Sequence, residues 1–135
     1  MSASPSFAGT VNNGTPVKIL TGNTALDGTG TTGLVFTAAA GGSFVRRLLL
    51  HHMGTNVATV LRVFWNNGSD PAVATNNALV AEKTIAANTL SQTAESDQAL
   101  DVVLNLPMKA GSRLYCSVGT AIAAGLMVMA DAGDL

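Results

Sequence analysis

One pattern repeats along most of this chain: a short run of aliphatic and β-branched residues, then a cluster of Gly, Asn, Thr, Asp or Pro. Such runs suit a pleated, half-buried surface, and the clusters supply the backbone angles of turns, so each unit reads as a strand followed by a turn. Strands are expected near Val17–Thr21, Leu34–Ala38, Phe44–Met53, Val57–Trp65, Leu79–Ala86, Leu100–Leu106, Arg113–Val118 and Ala121–Ala130. Eight strands in 135 residues call for an all-β domain, a sandwich or a barrel. The segment from Ala78 to Glu95 contains good helix formers, but Val80, Thr84, Ile85 and the break at Asn88 favour a strand and then a polar loop over Thr89–Gln98. Asn66, Asn67 and Gly68 are expected to supply the positive φ of a tight hairpin. Pro107 to Gly111 is expected to form a loop, since neither group suits a central strand.

Residues 1–14 are small and polar, with Phe7 the one large side chain between Met1 and Val17, and are expected to form an extended N-terminal arm. Residues 15–135 form the single β domain. The N-terminus lacks the basic and apolar regions of a signal peptide, and AIAAGLMVMA is about half the length needed to span a bilayer. Synthesis in a cytoplasm and no membrane partner are therefore expected.

Composition narrows the function. Charged residues are 11% of the chain, against roughly 25% in ordinary domains, and the formal net charge is −1. Little repulsion separates copies of such a protein, which suits life in an assembly. The seven Lys and Arg are scattered, with only Arg46 and Arg47 adjacent, so no basic stripe awaits nucleic acid. One Trp and one Tyr leave little for stacking. Cys116, the sole cysteine, sits in the apolar run LYCSV and reads as a core residue.

The motifs that carry chemistry elsewhere fail here on context. Gly28 to Gly33 spells GxGxxG but leads into a strand pattern and not a helix, so no cofactor is expected. No serine occupies a GxSxG elbow, and Glu95 and Asp97 lie in the polar loop, so no catalytic residues are assigned and an enzyme is not expected. The sequons at Asn13 and Asn67 have no secretory route. His51 and His52 are adjacent in a strand, and successive side chains point to opposite faces, so they cannot hold one metal ion together.

The same alternation puts Arg46, Leu48, Leu50 and His52 on one face and Arg47, Leu49, His51 and Met53 on the other, so large apolar residues fall on both. In the following strand Leu61, Val63 and Trp65 oppose Val60 and Phe64. A sandwich strand needs one apolar face, so another protein chain is expected to cover the second. The expected contacts are Phe7, Arg46, Arg47, His51, His52, Phe64 and Trp65.

Two stretches, LLLHHMGTNVATVLRVFWNNG and LPMKAGSRLYCSVGTAIAAGLMVMADAGDL, carry a further likeness. With a strand ending in His and Gly, an Asn-Gly turn, a Pro-x-x-Ala-Gly turn, and the Gly119-Thr120 hairpin before a closing GDL, residues 43–135 resemble the jelly-roll cement or decoration proteins of tailed-bacteriophage heads. That resemblance implies an eight-stranded antiparallel jelly-roll sandwich. It implies a homodimer or homotrimer on the outer capsid surface of the virion, bridging neighbouring major capsid protein subunits after the shell expands, with no chemically acting residue. Two alternatives share the fold class. One is a glycan-binding module of a tail or fibre, using Trp65 beside Asn66, Asn67 and Asp70; the other is a single-jelly-roll shell subunit.

Overall fold

The computed structural model describes residues 9–96 and 100–135, so Phe7, Asp97 and Gln98 lie outside the described residues. Among the described residues nine strands are present: β1 Thr10–Val11, β2 Val17–Ile19, β3 Gly33–Thr37, β4 Ser43–His52, β5 Thr59–Asn66, β6 Asn77–Ile85, β7 Leu100–Met108, β8 Arg113–Val118 and β9 Leu126–Asp134. The first sheet has the order β1-β9-β4-β7, with β2 also paired to β9; the second has the order β3-β8-β5-β6. All pairs between strands are antiparallel. From β2 to β9 the chain wraps back and forth between the sheets, which is the strand order of a jelly roll. Segment 77–85 is a strand, as its β-branched residues require.

Side-chain alternation builds the core. In β4 the inward Val45, Leu48 and Leu50 face Ala132, Ala130 and Val128 across the pairing with β9. Large residues meeting small ones let the layers interdigitate. From the second sheet Leu61, Val63, Leu114, Cys116 and Val118 close the same core, and Trp65 packs against it half-buried. One end is closed by polar groups. The Asn56 side chain donates to Gly125 O at 2.9 Å and accepts from Ala124 N at 2.8 Å, while its backbone exchanges two 2.9 Å bonds with Asn88.

Several sequence expectations need correction. The last strand begins at Leu126 and not at Ala121, because Gly125 (φ +84°) turns the chain and Ile122 N bonds Leu20 O in place of a ladder partner. It runs on through Asp131 and Asp134, whose carboxylates are matched by Arg46 and Arg47 and by Ser43 and Asn12. Asn66, Asn67 and Gly68 do not make a tight hairpin. Asn66 is a fully buried strand residue, only Gly68 of the three has positive φ, and a connection with a 3-10 turn at Ala74–Asn76 leads to β6. Pro107 lies within β7 and not in a loop, since β7 is an edge strand where a missing N–H disturbs no inner ladder. The described part of the N-terminal arm is tied down: Thr10 and Val11 pair with β9, and Asn12 N bonds Ala132 O at 3.0 Å.

Pairing is irregular in both sheets. Register slips between Val45 and Arg47 across both β7 and β9, and Asn105 opposite the slip takes φ +46°, the only positive φ of a non-glycine among the described residues. Val80 is the extra residue in β6, and Val35 is the extra residue in β3.

Candidate functional site

The slip at Arg46 decides the face of both arginines. In a regular strand Arg46 would share the inward face of Leu48; the bulge turns it out beside Arg47, so the expected division of the two is corrected. Both reach one carboxylate. Arg46 Nη2 and Nε donate to Asp131 Oδ2 at 2.7 and 3.0 Å, and Arg47 Nε donates to it at 3.1 Å. Arg47 Nη1 also reaches Asp101 at 3.4 Å. The Arg46 guanidinium, with Arg47 behind it, holds the Asp131 carboxyl below the usual carboxylate range, and the hydrogen bond to Asp131 raises the pKa of Arg47 in turn.

This cluster is one rung of three across the outer face of the first sheet. Asp131, Arg47 and Val103 form the ionic rung; Met129, Leu49 and Asp101 form the next; Lys18, Met127 and His51 form the third. Leu49, Met127 and Met129 are half-buried and His51 is exposed. Together with Pro16 and Leu100 they line an almost wholly apolar groove of about 300 Å³. A second depression of about 410 Å³, lined by Arg46, Arg47, Asp101, Val103 and Asn105, adjoins it. A band of apolar area beside a neutral set of two Arg and two Asp can bind another surface.

The two histidines divide as strand alternation requires. His51 faces out and is exposed, and its Nδ1–H donates to the His52 carbonyl at 3.0 Å. His52 faces in, 6% exposed, with Nδ1 accepting from the Asn56 amide at 3.0 Å. Among the described residues no group of three or more His, Cys, Asp or Glu could hold a metal ion. Cys116 is fully buried, and burial pushes its thiol pKa up, away from the reactive thiolate.

The other expected contacts scatter. Phe64 faces the outer side of the second sheet but is 1% exposed, so it offers no contact to another chain. The run from Leu20 to Thr32 crosses that side, bonded at β8, β5 and β6. Asn23 N donates to Val118 O at 2.7 Å, Arg62 Nη1 reaches Asn23 O at 3.4 Å, and Asn77 Nδ2 holds Asp27 O at 3.0 Å. Arg62 and Asn66, the partner of Asn77, flank Phe64 along β5, so these bonds pin the run on either side of the ring. Gly28 and Gly30 of the GxGxxG match shape this run and lead into β3, with no helix following. Trp65 lies at the open side of the sandwich between β6 and β7, with Lys109 Nζ 5.7 Å from its ring centroid. It points away from Asn66, whose amide, like that of Asn67, is held within the protein, so the glycan-binding constellation is not assembled.

Arg46, Arg47 and His51 are thus brought together, while Phe64, His52 and Trp65 are not. Sequence reasoning missed Met127, Met129, Pro16 and Asp131. The signal was there: Met127 and Met129 alternate with Leu126, Val128 and Ala130, but a strand begun at Ala121 hid which residues pair with Leu49 and His51. No protein-family model, curated protein or solved structure matches the chain.

Proposed function

We propose that this protein is a capsid decoration protein, a structural component of a phage virion that binds the outer surface of the head and bridges neighbouring major capsid protein subunits. The observation that carries this reading is the outer face of the first sheet, where Leu49, Met127 and Met129 border an apolar groove beside the Arg46–Arg47–Asp131–Asp101 cluster. Apolar area bordered by paired charges is what a protein contact needs at its centre and rim. The jelly-roll topology, the low charge and the likeness of residues 43–135 support the same reading. Clamping a shell needs area and not chemistry, and many weak contacts on a symmetric lattice become avid together because each raises the effective concentration of the next.

The protein acts as a homodimer or homotrimer, and the head is its partner. The test mixes purified protein with expanded heads that lack it. Co-sedimentation and greater resistance of the heads to heat are expected, with both lost in Met129→Asp. Protein that ignores the heads, heads equally stable without it, or full activity of Met129→Asp would each end this reading. Closure of the purified protein into particles by itself would point to a shell subunit instead.

A further inference from the structure

The chain contains two Asn-Asn-Gly triplets, Asn12-Asn13-Gly14 and Asn66-Asn67-Gly68, and the structure builds both in the same way. In each the first Asn accepts the glycine N–H on its side-chain oxygen, at 2.9 Å for Asn12 and 2.7 Å for Asn66. In each the glycine takes a left-handed φ, +63° and +96°. The middle Asn then donates its side-chain amide across the chain, Asn13 to Ala130 O at 2.9 Å and Asn67 to Asn76 Oδ1 at 3.1 Å.

An asparagine followed by glycine is open to attack by its own backbone, because no Cβ on the next residue hinders the approach. The Gly backbone nitrogen bonds to the Asn side-chain carbon, the bond to the side-chain nitrogen breaks, and ammonia leaves, carrying the proton relayed from the backbone nitrogen through solvent. Water then opens the resulting succinimide at either carbonyl, leaving aspartate or isoaspartate. The reaction needs the backbone N–H to be released and the side chain to swing onto it, so restraints at either place slow it.

The two triplets differ in those restraints. Asn67 is held at both side-chain atoms: its oxygen also accepts Ser69 N at 2.9 Å, and its own backbone N bonds Asn76 O at 3.0 Å. The Asn66 oxygen guarding Gly68 belongs to a fully buried residue. Asn13 and Gly14 are both exposed, and among the described residues the bond to Ala130 O is the one that holds the Asn13 side chain. We propose that Asn13 is the intrinsic deamidation site of this protein, and that its conversion unfastens residues 9–14 from the edge of β9. Conversion replaces the donor that faces Ala130 O with a carboxylate oxygen that repels it, and the isoaspartate form also lengthens the backbone. The neighbouring ties, Gly9 N to Asp134 O and Asn12 N to Ala132 O, belong to a strand of only two residues. Without the Asn13 anchor the segment keeps those two backbone bonds, the Thr10 and Val11 pairing and the Asn12 side-chain bond to Asp134 at 2.9 Å, and the pull toward Ala130 is lost.

The experiment incubates the native protein at mildly alkaline pH, which favours the deprotonated backbone nitrogen, and maps peptides by mass spectrometry. Residue 13 is expected to convert about tenfold faster than residue 67, the factor that roughly 1.4 kcal/mol of restraint carries. In denaturant the two should convert at similar rates. Asn12→Ala should speed conversion at 13, and Asn76→Ala should bring 67 closer to 13. Aged protein, or Asn13→Asp, should show faster hydrogen exchange at Gly9 and Asn12, with the β4–β9 ladder unchanged. Conversion at 67 as fast as at 13 in the native protein would overturn the assignment, as would the same rate difference in denaturant. Conversion at 13 with unchanged exchange at Gly9 and Asn12 would overturn the unfastening.

Discussion

The two sheets bury their inner faces in one core but treat their outer faces in opposite ways. On the second sheet Phe64 and Tyr115 sit opposite each other in the β5–β8 pair, and the chain's own run from Leu20 to Thr32 is pinned over that side until Phe64 is 1% exposed. On the first sheet the corresponding large residues, Leu49, Met127 and Met129, stay half-buried, with the groove beside them open. The difference teaches that a strand with two apolar faces does not by itself announce a partner. A chain can supply its own cover, and what identifies an interface is the apolar face it leaves bare.

That comparison can be broken by experiment. Phe64→Ala removes a large side chain from a closed space and should cost about 3–5 kcal/mol in chemical or thermal unfolding. A loss below about 1 kcal/mol would mean that the cover is loose. Asn77→Ala removes the amide that holds Asp27 O and Pro71 O and the oxygen that accepts from Asn66. It should cost about 1–3 kcal/mol and raise hydrogen exchange in residues 20–32 while the first sheet stays protected. Equal loosening of both sheets would deny that the cover is a local device. Leu49→Ala on the bare face should cost less, about 1 kcal/mol, because its side chain already meets water; under the proposed function its effect should fall on binding to the capsid. The smallest effect belongs to Asp131. Its carboxyl has a lowered pKa in the fold, so the stability it adds is present above the unfolded value, about 3.9, and is lost as pH falls through the lower folded value. Asp131→Asn should remove that part of the acid dependence and cost under about 1 kcal/mol at neutral pH, since the pair is solvent-exposed. An unchanged acid profile would show that the cluster positions the arginines without stabilising the fold.

The strands themselves were legible because alternation and turn residues are local signals. The order of aliphatic runs from Val17 onward suffices to place eight of the nine, and the facing of His51 against His52 follows from period alone. What escaped was nonlocal. Nothing near Arg46 marks the bulge that turns it outward; the cause lies in the register with β9 and in Asn105 of β7. Nothing near Phe64 tells that residues 20–32 return over it, because the fastening amide, Asn77, reads like any turn asparagine. Asp131 and Asp134 argued against a strand until their partners from β4 and residue 12 were known. The candidate site was half legible for the same reason: Arg47, Leu49 and His51 of β4 were found by alternation, while Arg46 needed the bulge and the β9 residues needed the correct strand start.

The irregular pairing noted along the sheets bears on how copies of this chain can join. Each outermost strand is spoiled as a template. β7 carries Asn105 and Pro107, β6 carries the extra Val80, β3 carries the extra Val35, and the remaining edge is split between β1 and β2. A foreign strand laid against any of them finds a donor missing, a residue out of step or a ladder only two or three rungs long. Growth by ladder addition, the route to open-ended fibres, is opposed at every edge, so the homo-oligomer proposed above would form through side-chain surfaces, where a fixed geometry can end in a counted set of copies.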